Sequence, residues 1–315
     1  MTLTQYQYIV AVDIYKSFAK AAEHCFVTQP TLSMQIQKME DELGVRLFDR
    51  SKKPVETTDI GRQIVDQARV LLNEAGRIDE IVQQNKGEIK GEFRLAFIPT
   101  IAPSIIPRFL YDFAKKYPQL NLHISEMQTD IILDQMKKGL LDAAVLATPL
   151  ATEGVIERPL YYEPFMAFVP ETHRLYKEKF LSVKELDVND MLLLKEGHCF
   201  RNSVLNLCGK SVAKKDKLGN VHLESGNFET LIKLAKQGFG MTLIPYLLSL
   251  DIKETEDKKY IRPFDKPQPS REISIIYRRA QLKIHIIDKL EEAIKNAVPK
   301  HMLAAKEMKV VGPKA

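Results

Sequence analysis

Cysteine is scarce in this chain: Cys25, Cys199 and Cys208 are the only three in 315 residues. Three thiols cannot form the disulfide framework of a small secreted domain, so a reducing cytoplasm is the expected compartment and any disulfide is expected to be transient. Long apolar runs are missing too, since no stretch approaches the ~20 residues that cross a bilayer as a helix. The opening MTLTQYQYIVAVDIYKSF has no basic region ahead of a sustained apolar one. Neither a signal peptide nor a membrane partner is therefore expected.

Excess charge of one sign is also lacking. The net charge is +5, and acidic and basic residues nearly cancel over residues 1–90. Bulk charge gives no sign of nucleic-acid binding, so such a function must rest on a local patch. No GxSxG, HExxH or P-loop occurs, nor a GxGxxG between strand and helix; no enzyme and no cofactor is expected. Cys199 and Cys208 are spaced unlike a zinc-ligand pair, and no metal is expected either.

What is present begins with two helical patterns separated by a tight break. Ser17 is placed to cap a helix whose apolar side is Phe18, Ala21, Ala22 and Cys25, the last read as core packing, and Phe26 and Val27 turn the chain. Thr28 caps the next helix, with Pro30 in its first turn. Leu32, Ile36, Met39 and Leu43 then recur at helical spacing until Gly44 stops it. With that stripe inward, Thr31, Ser33, Met34, Gln35, Gln37 and Lys38 lie on or beside an exposed face suited to base edges and phosphates. RLFDRSKKPVETTDIGR gathers Arg46, Arg50, Lys52 and Lys53 around a turn at Pro54, as a basic-tipped wing would. A small helical bundle with a solvated charged edge fits the same periodicity.

From Thr58 to about Lys86 a long helix is expected, with Ile64, Ala68, Leu71, Ala75, Ile78 and Val82 repeating as a heptad seam. The stripe suits a dimer seam or packing on its own chain. Gly87 and Gly91 mark a hinge. Beyond it, EFRLAFIPT, SIIPRFLYDFAKKYP, LNLHISEMQ, TDIILDQMKKG and LDAAVLAT alternate strand with helix and imply an α/β domain. Thr100 falls where a strand ends and a helix begins, the usual ligand position in open α/β sheets. PFMAFVP and REISIIYRR read as strands crossing between two lobes, and GFGMTLIP as a glycine turn into a strand.

KEGHCFRNSVLNLC holds two of the three cysteines. If residues 199–208 are helical, nine steps of ~1.5 Å separate the two α-carbons by roughly 13 Å. A disulfide needs about 4.4–6.8 Å, so the pair can bond only if the segment refolds. Cys199, at an expected helix start after Gly197 and His198 and two residues before Arg201, is the better candidate for a reactive thiol, because helix N–H groups and a cation both lower a thiol pKa. Cys208 sits in apolar company and reads as a resolving thiol. The lysines at 210, 214, 215 and 217 read as a solvated face. Two inert, buried cysteines fit the same residues.

FAKAAEHCFVTQPTLSMQIQKMEDELGVRLFDR, followed by a wing and TTDIGR, resembles the winged helix-turn-helix of LysR-type transcriptional regulators. The resemblance extends over nearly the whole chain. It implies a winged helix-turn-helix domain over 1–58, a linker and dimerisation helix over 59–90, a two-lobed periplasmic-binding-protein-like α/β regulatory domain over 91–302, and a tail over 303–315. It further implies Gln29, Pro30, Thr31, Ser33, Gln37, Lys38 and Arg50 as contacts to pseudo-palindromic double-stranded DNA, with Lys52 and Lys53 in the flanking wing, together with a homo-dimer or tetramer and contact with RNA polymerase. Within that family, GHCFR…LC resembles the hydrogen-peroxide-responsive OxyR subfamily, as do Thr100 in FIPT, Thr129 in MQTD, His222 ahead of FETL and Arg278 in IIYR. This implies that Thr100, Thr129, His198 and Arg201, with His222 and Arg278, support a peroxide site where Cys199 is oxidised and Cys208 resolves, with glutathione or glutaredoxin as reductant. A LysR-type regulator answering a small metabolite, its cysteines incidental, remains the alternative.

Overall fold

The structure is a computed structural model, and it describes residues 1–84, 89–208, 225–253, 256–279 and 281–313. The chain divides into two compact units, the first built mainly from the N-terminal residues and the second from those after the hinge.

The first unit contains α1 (Leu3–Tyr15), α2 (Phe18–His24), α3 (Gln29–Leu43), β1 (Phe48–Asp49), β2 (Glu56–Thr57) and α4 (Asp59–Gln84). The expected caps are in place: the hydroxyls of Ser17 and Thr28 accept the N–H groups of Lys20 and Thr31, and Gly44 ends α3 at φ +68°. That left-handed closure is strained for a residue with a Cβ, which is why glycine serves as the stop. Leu32, Ile36 and Met39 are fully buried with Ile9, Val12, Ala21 and Leu47, so the stripe read from the sequence is the core of the head. β1 and β2 pair antiparallel, Phe48 opposite Thr57, and the basic turn lies between them.

The second unit starts with β3 (Gly91–Phe97), α5 (Ala102–Lys116), β4 (Leu120–Glu126), α6 (Thr129–Lys137), β5 (Ala143–Thr148) and the long β6 (Val155–Phe168). There follow α7 (Cys199–Leu207), α8 (Phe228–Lys236), β7 (Thr242–Pro245), α9 (Tyr246–Lys253), β8 (Ile261–Arg262), β9 (Gln268–Arg278), α10 (Ile284–Asn296) and β10 (Met308–Val310). The sheet order is β4-β3-β5-β9-β6-β7, with β10 beside β9 and β8 beside β6. β3 runs parallel to β4 and β5, whereas β9 is antiparallel to both β5 and β6. β6 and β9 are thus the two crossing strands. One end of the pair carries β3, β4 and β5, the other β7 and β8, which makes the unit two-lobed. Phe93, Leu95, Phe97, Ile105 and Phe109 fill the first lobe, and Phe165, Leu181, Phe200, Val204 and Leu243 the second. Full burial of each such side chain contributes about 1.5–3 kcal/mol.

The expected tail over 303–315 is corrected by the structure. Met308–Val310 extend the sheet in parallel with Gln268–Ser270, the Val311 N–H donates to the Ser270 carbonyl at 2.8 Å, and Val311 packs on the second-lobe core. Met308–Val310 are therefore sheet rather than tail.

Candidate functional site

In the head, Gln29, Pro30, Thr31 and Lys38 are exposed on α3, and Ser33 and Gln37 are half-exposed. Lys52 and Lys53 stand exposed in the wing. Arg50 is differently placed from the expected free cation. Its guanidinium donates to Ser33 Oγ at 3.0 Å and Glu40 Oε2 at 3.1 Å, and lies 4.7 Å over the ring of Phe18. Arg46 donates to Gln37 Oε1 at 2.8 Å and reaches Glu40 Oε2 at 3.4 Å. Glu40, 2% exposed, also accepts the backbone N–H groups of Leu47 and Phe48 through Oε1 at 2.7 and 3.3 Å. One buried carboxylate therefore ties α3 to the wing. Sequence reading missed Glu40; the available signal was a carboxylate one step beyond Met39 on the buried stripe.

The heptad on α4 divides. Ala68 is buried and Ile64 half-buried against the head core, because α4 packs on α1, and this corrects their expected place in an open seam. Leu71 and Ile78 are 40% and 68% exposed, and Ala75 lies half-exposed between them. The Val82 side chain lies outside the described residues.

In the second unit three helix starts converge. Thr100 immediately precedes the Ile101 cap of α5, Thr129 opens α6, and Cys199 opens α7 after its cap His198. Thr100, Thr129, His198 and Cys199, with Ile98, Pro99, Gln128 and Gly197, line one tight recess. Gly197 suits the turn here: its φ is +87°, and a Cβ would displace the end of the Gln128 side chain, whose Oε1 would lie 2.7 Å away. Helix starts carry partial positive charge and favour an anion nearby.

The cation of the site is Arg271, which sequence reading missed. It is 1% exposed and donates through Nη1 to Thr100 Oγ1 at 2.9 Å and through Nη2 to the Thr100 carbonyl at 3.1 Å. Its Nε and Nη2 donate to Glu163 Oε2 at 3.1 and 2.8 Å, and its Cζ lies 5.0 Å from the centre of the Phe200 ring. The signal available was the charge that opens the apolar run REISIIYRR. Arg201, expected at the site, instead donates to the Leu194 carbonyl at 3.2 Å and lines a separate small recess against Val204 and Leu243. Arg278 is corrected likewise: it lies seven residues beyond Arg271 on β9, a strand length of roughly 23 Å, opposite Val155. His222 lies outside the described residues, as do the lysines at 210, 214, 215 and 217.

Burial pushes the Cys199 thiol above its ordinary pKa, against the opposing pull of Arg271, of Thr129 and of the N–H groups of Phe200 and Cys199 itself. The expectation of a lowered pKa is therefore corrected, because desolvation outweighs the cation and helix start. Thr129 Oγ1 is buried and has no oxygen or nitrogen partner among the described residues, which leaves it for the sulfur. The His198 pKa is depressed by burial and then by Lys195, so the ring is neutral at pH 7. Its Nε2 is buried with no hydrogen-bond partner among the described residues. Cys208 caps the other end of α7, half-buried against the lobe core, with its pKa raised to about 11 by burial and then by Asp187. Cys25 is half-buried on the head core, and burial raises its pKa. All three are free thiols, and no cluster of three or more metal-binding side chains occurs among the described residues.

A winged helix-turn-helix head followed by a long helix and a two-lobed α/β domain defines a DNA-binding transcription regulator rather than an enzyme. The sequence matches the family model for the LysR substrate binding domain over residues 86–298 and that for the bacterial regulatory helix-turn-helix protein, lysR family, over residues 3–62. The chain belongs to the LysR family. It is 37% identical over 278 residues to a hydrogen peroxide-inducible genes activator of Haemophilus influenzae, covering 88% of this chain and 91% of that protein. It is 33% identical over 301 residues to the DNA-binding transcriptional dual regulator OxyR of Escherichia coli, covering 96% and 97%. Among solved structures it is similar to a full-length OxyR variant from Pseudomonas aeruginosa, with a TM-score of 0.75, 34% identity and coverage of 94% and 98%.

Proposed function

We propose that this regulator answers hydrogen peroxide through Cys199 and a reversible Cys199–Cys208 disulfide. The observation that carries the reading is the recess where Thr100, Thr129 and His198 surround the Cys199 thiol at the start of α7. Similarity to peroxide-inducible activators supports it.

The thiolate of Cys199 attacks one peroxide oxygen; an S–O bond forms, the O–O bond breaks, and the leaving hydroxide takes a proton to become water. The sulfenic acid is then attacked by the Cys208 thiolate, which displaces hydroxide and leaves a disulfide and a second water. Glutathione or glutaredoxin returns two electrons and two protons as two thiols. Arg271 and the Thr129 hydroxyl favour the thiolate, while burial keeps most of the thiol protonated at rest. Because α7 is helical from Cys199 to Leu207, with Cys208 as its cap, closure requires that the helix unwind. Reduced and oxidised chains then differ in fold around α7, which is how the signal leaves the site.

The head reads pseudo-palindromic double-stranded DNA through Gln29, Pro30, Thr31, Ser33, Gln37 and Lys38 of α3 and through Lys52 and Lys53 of the wing, with Arg50 bracing one to the other. Leu71, Ala75 and Ile78 offer a seam to a second copy, giving a cytoplasmic dimer or tetramer that engages RNA polymerase. Transcription in vitro from a selected operator tests the whole: peroxide changes transcript yield with the native chain and leaves it unchanged with Cys199→Ser. The raised pKa of both site thiols favours a second reading, a metabolite-responsive regulator with incidental cysteines. An equal peroxide response in Cys199→Ser selects against the first reading.

A further inference from the structure

Phe26 stands in the turn between α2 and α3, one residue after the α2 cap Cys25 and two before the α3 cap Thr28. It is 96% exposed, the most open of the large apolar side chains among the described residues, and it takes no part in the packing of the head core. Its φ is +55°, in the left-handed region. The turn holds it there, through the Phe26 N–H to the Glu23 carbonyl at 3.1 Å and the Val27 N–H to the Ala22 carbonyl at 3.0 Å. Asn, Asp and Gly adopt that conformation readily, whereas a bulky aromatic residue there is an outlier. An exposed ring adds the cost of apolar surface left in water. Both costs fall on one residue, and the fold recovers neither.

We infer that Phe26 is an apolar DNA contact, its ring covering hydrophobic surface of the duplex beside the start of α3. The inference rests on the reading that α3 and the wing face DNA. The residues that soon follow it in the chain, Thr28, Gln29, Pro30 and Thr31, are likewise all exposed. DNA presents apolar surface from two sources, the deoxyribose and the 5-methyl group of thymine in the major groove. A side chain without charge or donor contributes to neither phosphate neutralisation nor hydrogen-bonded readout, so its signature differs from that of the lysines nearby.

The test uses the full-length chain and an operator selected from random duplexes. Phe26→Asn accepts the left-handed turn and removes the ring. It is expected to keep or raise the melting temperature while weakening operator binding about threefold or more, with the slope of affinity against salt unchanged. Phe26→Tyr keeps the ring and is expected to bind nearly as the native chain does. Replacing single thymines by deoxyuridine then separates the sources: a loss in the native chain that disappears in Phe26→Asn assigns a methyl group, and no such position assigns the sugar. Unchanged affinity in Phe26→Asn overturns the inference. So does a fall in melting temperature, which returns the ring to the fold, or a smaller salt slope, which returns it to the ionic contacts. If the native chain selects no duplex at all, the DNA-facing reading fails, and that failure is visible before any variant is made.

Discussion

Glu163 on β6 and Arg271 on β9 stand directly opposite one another, and the carboxylate accepts two N–H bonds from the guanidinium, at 2.8 and 3.1 Å. Each is 1% exposed. Glu163 Oε1 also accepts the Leu247 N–H at the start of α9, at 3.0 Å. The pair therefore links both crossing strands and α9 to Thr100, and through Phe200 to the helix that begins with Cys199.

Arg271→Met should leave Glu163 buried without its partner, a loss of about 3–5 kcal/mol in unfolding free energy. It should also raise the Cys199 pKa further, since the largest influence favouring the thiolate is removed. Urea unfolding measures the first, and the pH dependence of Cys199 alkylation the second. An alkylation profile that stays in place would take Arg271 out of the thiol chemistry.

Cys208 makes stability depend on alkaline pH. Its folded pKa of about 11 exceeds the ordinary thiol value, so the folded state holds the proton over a range where the unfolded state has released it. The stabilisation is complete below the unfolded pKa of about 8.5 and is lost as pH rises towards about 11. Cys208→Ser should show a shallower loss of melting temperature over that window. After a peroxide pulse the same variant should stop at a Cys199 sulfenic acid that dimedone traps.

Glu40→Ala should cost the head roughly 2–6 kcal/mol, because two buried backbone donors lose their acceptor at about 1–3 kcal/mol each. Operator affinity should fall with it, since the wing is no longer tied to α3. Differential scanning calorimetry and gel-shift titration report the two losses, and a stable head with intact binding would refute the role of Glu40 as the brace.

Lys52→Ala and Lys53→Ala together should lower the salt slope of operator binding by up to about two and weaken all duplexes alike, as phosphate contacts do. A changed sequence preference with an unchanged slope would move these lysines from phosphates to bases.

Much of this was legible in the sequence where local patterns decide. The α3 stripe Leu32, Ile36 and Met39, the caps Thr28 and Gly44, and the helix from Cys199 are periodicity and capping signals, and all three stand as read. Thr100, Thr129, His198 and Cys199 meet in one recess because each lies at a helix start, which a strand-then-helix pattern reveals. Arg271 and Glu40 were not legible: each acts across a pairing of residues distant in the chain, and a charged residue beside an apolar run reads as solvated until its partner is known. Arg278 was misplaced for the same reason, since only the register of β9 against β6 shows which arginine of the strand faces Thr100. Ala68 belonged to a sound heptad, but the heptad could not say that α1 already covers its first half.

The most direct measurement is mass spectrometry of alkylated peptides from the reduced, full-length chain before and after a brief, near-stoichiometric hydrogen peroxide pulse under anaerobic handling. The account predicts a Cys199–Cys208 crosslink with Cys25 still alkylated. Slow oxidation spread over all three thiols, with no crosslink, would contradict it and leave a LysR-family regulator whose signal is another molecule.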